Sequence, residues 1–248
     1  MRTPRLVGLG DLHGHFRELL ALYQQVFDGG FDPERDTLIQ LGDCVDGGPD
    51  TKSVIQWCID MQRRYPHWVF LKGNHSDLML DALRYNSRIY GSYNLWWGQG
   101  GKATAYSYLP TDATDYERAI MKPLDYIPAA HLDWLEDRPL YHETDRYIFV
   151  HAGLRPGIPL HEQSREDLLW IRESFFEAHH NFDGRKVVFG HTAFKEPLIV
   201  RELVSPEPVK PIVAIGIDTM LFNSNELTAV ELSGDEPRFY FQPALGDA

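Results

Sequence analysis

Cysteine is scarce in this sequence. The 248 residues include only two cysteines, Cys44 and Cys58. Two thiols are too few for a disulfide framework, and they do not form a pair with the spacing of zinc ligands. The sequence therefore excludes disulfide-rich secreted folds and Cys-type zinc sites, and we expect both thiols to stay reduced in a cytoplasmic protein.

Long apolar runs are also missing. No stretch reaches the roughly 18 consecutive apolar residues that a membrane-spanning helix needs. The first residues do not combine basic side chains with a long apolar run, as a secretory leader would. We therefore expect no membrane partner.

Basic residues are outnumbered by acidic ones. The chain has 24 Lys and Arg against 36 Asp and Glu, which gives a formal net charge of −12 at pH 7. Binding nucleic acid through its phosphates requires a basic surface, so we do not expect a nucleic-acid partner. Bound metal ions would offset part of the negative charge.

Five short motifs rich in Gly, Asp, Asn and His each follow a predicted buried strand. They are GDLHGH (10–15), GDCVDG (42–47), KGNH (72–75), VHAG (150–153) and FGHT (189–192). In an open α/β sheet, residues at the carboxyl ends of strands form the usual site of chemistry. We therefore expect the polar side chains of the five motifs to converge.

The converging side chains have the chemistry of a metal site. The candidate ligands are Asp11, His13, Asp43, Asn74, His151 and His191. Carboxylate, amide and imidazole ligands together suit two divalent first-row ions, manganese in the first place, with iron or zinc as alternatives. A carboxylate such as Asp43 can bridge two ions, and such a pair clamps the attacking and leaving oxygens of a phosphoryl transfer.

His75 calls for a different role, because it directly follows Asn74 and neighbours on an extended segment seldom reach the same ion. Asp46 lies three residues beyond Asp43 and can point past the metal towards His75. A carboxylate that holds an imidazole raises its basicity, which suits a general acid. We predict an Asp46–His75 dyad; the alternative is that Asp46 caps the helix that starts near Pro49.

The order of strands and helices predicts an α/β fold in a single domain over residues 1–248. The first 75 residues repeat a strand, motif and helix order that is typical of a parallel, doubly wound half-sheet. Residues from about 78 to 139 read as helices without a strand, which we interpret as an inserted helical cap. The rest is β-rich, with a hairpin over 140–151, five further strands and a helix over 166–180, so we expect two sheets with outer helical layers.

The five motifs resemble those of the calcineurin-like metallophosphoesterases, and specifically the phosphoprotein phosphatase branch with its bacterial serine/threonine phosphatases. The likeness extends to WGQGGKAT (97–104), DLLWIRE (167–173), GIDT (216–219) and LTAVEL (227–232). It implies a four-layer αββα sandwich of two mixed sheets, a dinuclear metal centre and an enzyme that hydrolyses phosphomonoesters. The expected reaction is direct attack by a hydroxide held between the ions, without a covalent intermediate.

The resemblance also implies roles for individual residues. Asp11, His13 and Asp43 would hold the first ion, and Asp43, Asn74, His151 and His191 the second. Asp46 and His75 match the family's catalytic acid pair, while Arg172 matches a phosphate-contacting arginine that Asn74 and His15 would assist. The alternative for Arg172 is an exposed helix charge.

The sequence departs from the family pattern at Gly47 and at Met220. The family usually has an arginine that contacts substrate phosphate at the position of Gly47, so one bidentate phosphate clamp is missing. Met220 stands where a glycine is common. These departures bear on the identity of the substrate more than on the chemistry.

Several functions remain open. We expect a phosphatase acting on phosphoserine, phosphothreonine or a similar small phosphoester. The nearest alternative is a symmetrical hydrolase of diadenosine tetraphosphate, whose second motif often continues with Gly-Pro as at Gly48 and Pro49, but which usually lacks an acidic residue at the Asp46 position. RNA phosphate ends are a third substrate class. A non-catalytic scaffold is the alternative of another class, although such a protein is expected to have lost ligands.

Overall fold

Ten strands provide the framework of the computed structural model, which describes residues 3–85, 93–176, 182–202, 210–223, 225–234 and 236–246. In the described part of the chain the strands are β1 (Leu6–Leu9), β2 (Thr37–Gln40), β3 (Val69–Phe70), β4 (Tyr141–Glu143), β5 (Tyr147–Val150), β6 (Lys186–Phe189), β7 (Leu198–Arg201), β8 (Ile212–Gly216), β9 (Glu226–Glu231) and β10 (Arg238–Pro243). They form two mixed five-stranded sheets.

Each sheet combines three neighbouring parallel strands with two antiparallel pairings. The first has the order β10-β9-β1-β2-β3, in which β1, β2 and β3 are parallel and β9 runs antiparallel to β1. The second has the order β4-β5-β6-β8-β7, in which β5, β6 and β8 are parallel. The predicted half-sheet and the predicted β4–β5 hairpin are both present.

The sheets pack face to face around an apolar layer. Ile39 of β2, Phe149 of β5, Val188 of β6 and Val230 of β9 are fully buried in one cluster that joins the two sheets. Apolar side chains on both faces of a strand are typical of parallel sheets covered on each side.

Helices cover the outer face of each sheet. They are α1 (Phe16–Asp28), α2 (Thr51–Arg64), α3 (Asn74–Leu80), α4 (Tyr93–Trp96), α5 (Lys102–Ser107), α6 (Asp115–Ile120), α7 (Ala129–Glu136), α8 (Arg165–Trp170) and α9 (Glu173–Phe176). One apolar cluster packs α1, α2 and α7 against the first sheet, and another packs α8 and α9 against the second. The four-layer αββα sandwich is confirmed.

The helix predicted over 166–180 is wrong as one continuous element. Helix α8 ends at Trp170, Ile171 is extended with ψ 145°, and a new helix begins at Glu173. At this break the side chain of Ile171 packs in the apolar cluster on the outer face of the second sheet, while Arg172 is exposed. Residues 177–180 of the prediction lie outside the described residues.

Two further predicted boundaries change for local reasons. The sequence pattern predicts one helix over 115–126 within the helical segment, but α6 ends at Ile120, because Pro123 has no N–H to continue it, and a short 3₁₀ turn follows. Helix α2 is capped by Asp50, whose carboxylate accepts a hydrogen bond from the Ser53 N–H at 3.1 Å. Asp46 is therefore not the cap of this helix, and that alternative is wrong.

The described residues between 78 and 139 contain helices and turns but no strand. Helix α7 of this segment packs against α2 and α3. The assignment of the whole segment, residues 78–139, as an inserted cap stays a prediction. Every helix in the described segments is too short or too polar to cross a lipid bilayer.

Candidate active site

The five motifs meet at one end of the sandwich. Parallel strands bring their carboxyl ends to the same edge of a sheet. The first sheet delivers Asp11 and His13 after β1, Asp43 after β2 and Asn74 after β3, while the second delivers His151 after β5 and His191 after β6. All six side chains are buried, so they form a polar cluster within an apolar sandwich.

Asp43 lies at the centre of this cluster. Its Oδ2 is 3.8 Å from His13 Nε2 and 3.4 Å from His151 Nε2. Its Oδ1 accepts a hydrogen bond from the backbone N–H of His75 at 3.0 Å, at the start of α3. Among the described residues, potential ligand atoms form two groups, His13–Asp43–His75 and Asp43–His151–His191. Within each group the atoms lie within 4.8 Å of one another, and Asp43 belongs to both groups. This is the position that a bridging carboxylate requires.

Backbone carbonyls orient two of the imidazoles. His13 Nδ1 lies 3.1 Å from the carbonyl oxygen of Val45, and His151 Nδ1 lies 2.9 Å from that of Leu41. A neutral imidazole that donates its Nδ1–H to a carbonyl keeps a lone pair on Nε2. In both residues that lone pair faces Asp43, as a metal ligand would.

Asn74, which follows the last strand of the first sheet, contacts two histidines of the second sheet. Its Oδ1 is 2.7 Å from His151 Nε2 and 2.9 Å from His191 Nδ1. Because the His151 proton is on Nδ1, the Nε2 lone pair and the amide oxygen are two acceptors facing each other. A cation between such groups converts this repulsion into coordination.

Two buried atoms of the cluster point to the same conclusion. Within the described residues, Asp11 Oδ1 and His191 Nε2 are buried without a hydrogen-bond partner, although Asp11 Oδ2 accepts the His191 N–H at 3.0 Å. Side chains approach the glycines of the motifs so closely that a Cβ on Gly190 would overlap Asp11 and one on Gly73 would overlap Asp43. The donor set and its unpaired atoms fit a two-ion site.

The electrostatics of the cluster also favour a bound cation. Burial, with the charges of Asp218 and Asp43, raises the pKa of Asp11 well above its usual value. Burial alone would raise the pKa of Asp43 too, but the surrounding histidines, His151 foremost, outweigh it and lower that pKa. Burial lowers the pKa of His13 to about 4, so its imidazole is neutral near pH 7 and free to coordinate.

Backbone strain is concentrated at the same residues. Among the described residues, six non-glycine residues have a positive φ, and four of them belong to the cluster or the dyad: His13 (42°), Asp43 (45°), Asp46 (70°) and His191 (62°). Such conformations cost energy and persist where the surrounding structure enforces them. The strained backbone therefore costs conformational stability, but it fixes the direction of these side chains.

Asp46 and His75 form the predicted pair. His75 Nδ1 is 2.9 Å from Asp46 Oδ2, and the rings of His75 and His13 are nearly perpendicular, with 5.0 Å between their centroids. Burial lowers the pKa of His75, but the carboxylates of Asp43 and Asp46 outweigh this and raise it to about 9. The imidazole is therefore protonated at neutral pH, and 16% of its side chain remains exposed.

Two residues that the sequence reasoning missed hold Asp46 in place. Asp46 Oδ1 accepts hydrogen bonds from Trp96 Nε1 at 3.0 Å and from the Thr104 hydroxyl at 2.8 Å, while the same hydroxyl accepts the Asp46 N–H at 2.8 Å. All three residues are fully buried. Thr104 is the last residue of the WGQGGKAT block. That block was the only feature of the sequence that pointed to a functional role for Thr104.

Arg172 lies at the rim of the cluster. Its Nη1 donates to the carbonyl oxygen of His191 at 3.2 Å and to the Thr192 hydroxyl at 3.4 Å. It occupies the break between α8 and α9, so it is not the helix charge of the alternative interpretation. The remaining N–H groups of the guanidinium can receive an anion, and phosphate binding by Arg172 stays a prediction.

His15 is placed apart from the cluster. Its Nδ1 lies 3.7 Å from the Glu18 carboxylate, and the ring lines a cavity of about 320 Å³ between the start of α1 and residues 244–246. Among the contacts of the described residues, none joins it to the Asp46–His75 pair. Its role in phosphate binding stays a prediction.

Comparison with known proteins gives the same family. The model of the calcineurin-like phosphoesterase family matches residues 4–210. The chain is 28% identical over 192 residues to serine/threonine-protein phosphatase 1 of Salmonella typhimurium, covering 75% of this chain and 78% of the relative. It is 34% identical over 157 residues to the symmetrical bis(5′-nucleosyl)-tetraphosphatase of Nitrosomonas europaea, covering 63% of this chain but spanning only 46% of that relative.

Solved structures share the fold at lower identity. A putative diadenosine tetraphosphatase superposes with a TM-score of 0.62 at 20% identity, over 97% of this chain and 94% of the other. A protein serine/threonine phosphatase from Saccharomyces cerevisiae superposes with a TM-score of 0.62 at 15% identity, over 100% of this chain and 82% of the other. With the family model matched over most of its length, the chain belongs to the calcineurin-like phosphoesterases and is a hydrolase of phosphoesters.

Proposed function

We propose that the protein is a dinuclear metal-dependent phosphatase that hydrolyses phosphomonoesters, in the first place phosphoserine and phosphothreonine of a protein or a similar small phosphoester. The observation that carries the proposal is the Asp46–His75 pair, 2.9 Å apart beside the central Asp43. A single leaving alkoxide needs one proton donor at the edge of the ligand cluster, and His75, hydrogen-bonded to Asp46, stands there.

Different residues of the cluster have different proposed roles in the reaction. Asp11, His13, Asp43, Asn74, His151 and His191 would hold two divalent ions. Manganese is our first choice, because the ligands are oxygen and imidazole nitrogen without thiolate. Bound ions supply charge neutralisation for the phosphoryl group and a water activated for attack. His75 gives its Nε2 proton to the leaving oxygen, while Asp46 fixes the tautomer and orientation of the ring.

We place the protein in the cytoplasm. Both of its cysteines are buried, free thiols. Such thiols are usual in a reducing compartment.

Arg172 is expected to bind the substrate phosphate. Replacing it by alanine should raise KM for p-nitrophenyl phosphate by about 10- to 100-fold, because a charged hydrogen bond contributes about 1.5–3 kcal/mol, with a smaller change in kcat. Steady-state kinetics measure both constants. Arg185→Ala is the control, since Arg185 pairs with Glu143 at the far side of the second sheet. An unchanged KM in Arg172→Ala would remove Arg172 from the site.

A second candidate function is symmetrical hydrolysis of diadenosine tetraphosphate. The 34% identity to a tetraphosphatase and the Gly48–Pro49 sequence favour it. The buried Asp46, which orients His75, favours the phosphatase.

A direct comparison of substrates separates the two functions. Manganese-loaded enzyme is incubated in parallel with diadenosine tetraphosphate and with a phosphoserine peptide, and ADP and inorganic phosphate are quantified. We expect the peptide to have the higher kcat/KM. Release of ADP much faster than peptide phosphate would reverse the order of the two proposals.

A further inference from the structure

An aromatic ring occupies the space beside Gly47. Gly47 has φ +94°, and a Cβ added to it would overlap the ring of Phe222. A side chain at position 47 would therefore be strained by the backbone and blocked by the ring. The glycine and the phenylalanine form a matched pair, although 175 positions separate them in the sequence.

Phe222 stands at the mouth of the active site. Its ring centroid is 4.9 Å from that of His13, in an edge arrangement, and 6.3 Å from that of His75. At the same time 42% of Phe222 is exposed. One side of the ring therefore packs on His13 and His75, while the rest faces solvent.

The turn that carries Phe222 is held by hydrogen bonds. Met220 has φ +67°, and its N–H donates to Asp218 Oδ1 at 3.0 Å. The carbonyl oxygen of Met220 accepts the N–H groups of Asn223 at 2.8 Å and Asn225 at 3.2 Å. The ring is thus presented in a set position, which lowers the entropy lost on packing a substrate against it.

We propose that Phe222 is a specificity-determining residue that packs against the aromatic leaving group of an aryl phosphomonoester such as phosphotyrosine. The inference deepens the proposed function, on which it rests. The leaving oxygen takes its proton from His75, so a group bonded to that oxygen lies next to the His75 ring. An aryl group bonded there comes within stacking range of Phe222, since aromatic pairs form at centroid separations of about 4.5–7 Å.

The reaction balances with water as the only co-reactant. The bond between phosphorus and the aryl oxygen breaks, and a water oxygen bonds to phosphorus. His75 gives its proton to the phenolate, and the proton released by the attacking water replaces it. The products are a phenol and inorganic phosphate.

The same geometry argues against a nucleobase as the partner of the ring. In diadenosine tetraphosphate a ribose and at least one further phosphate separate each base from the central phosphates. The base therefore lies well beyond the leaving oxygen, whereas the aryl ring of phosphotyrosine is bonded to it. Phe222, which is packed close to His75, suits the shorter substrate.

Two peptides of identical flanking sequence, one with phosphotyrosine and one with phosphoserine, test the proposal. The readout is the ratio of their kcat/KM values in wild type, Phe222→Leu and Phe222→Tyr, since aryl oxygens leave more easily in any enzyme. We expect Phe222→Leu to lower the phosphotyrosine-to-phosphoserine ratio about tenfold, as for a lost aromatic pair. We expect Phe222→Tyr to keep it within about twofold.

The outcomes are distinct. Equal loss on both peptides in Phe222→Leu would show that the ring only packs on His13, and would overturn the proposal. Failure of the wild-type enzyme to hydrolyse either peptide would overturn the proposed function itself. Should Phe222→Leu not fold, inhibition of the wild type decides: phenylphosphonate should bind about tenfold more tightly than methylphosphonate, and equal inhibition constants would contradict the role of Phe222.

Discussion

Asp43→Asn is expected to lower kcat/KM for p-nitrophenyl phosphate by at least about a thousandfold, or about 4 kcal/mol. Asp43 is the carboxylate that both groups of potential ligand atoms share. The asparagine keeps the shape of the side chain but loses the charge that would draw two cations together. Initial rates in manganese measure the activity, and bound metal is measured on the same sample.

Asp60→Asn is the matched control for this variant. Asp60 is a half-exposed carboxylate on α2, so its change should leave the rate within about twofold, as surface substitutions usually do. Circular dichroism confirms that both variants are folded. If Asp43→Asn keeps the wild-type rate and metal content, Asp43 is not a shared ligand.

His75→Ala is expected to slow substrates in proportion to how much their leaving group needs a proton. Alkyl phosphates should lose about 10²–10⁴ in kcat, the usual contribution of a general acid. The rate on p-nitrophenyl phosphate should also fall, but less, because nitrophenolate is a weak base. A plot of log kcat against the leaving-group pKa should therefore be steeper in the variant than in the wild type.

Asp46→Asn should give the same pattern, since Asp46 acts through His75. The double variant should be about as slow as His75→Ala alone, because the two residues act as a unit. His161→Ala, at a histidine whose side chain is 78% exposed, is the control. Parallel plots for wild type and His75→Ala would show that His75 is not the acid.

The sequence predicted most of what positions the site. Glycine-flanked Asp, Asn and His after apolar strands imply convergence, because parallel strands share an edge, and the structure brings Asp11, His13, Asp43 and Asn74 together with the histidines of the second sheet. The pairing of Asp46 with His75 followed from a simple exclusion, since neighbours in sequence seldom reach the same ion. These inferences needed local patterns only.

Contacts between residues that are far apart in the sequence could not be predicted from it. Trp96 and Thr104 reach Asp46 across 50 and 58 positions, and no local pattern records that they do. Phe222 lies in a turn of ordinary composition. Its possible role can be recognised only from the structure, in which its ring occupies the space beside Gly47. Helix propensity continues through Ile171, yet burial of that side chain breaks the helix there.

We expect Asp43 to be shared by two bound cations. Anomalous diffraction at the manganese edge, from crystals grown with manganese, tests it most directly. We expect two peaks flanking Asp43, one beside Asp11 and His13, the other beside Asn74, His151 and His191. A single peak, or two peaks of which neither touches Asp43, would contradict it.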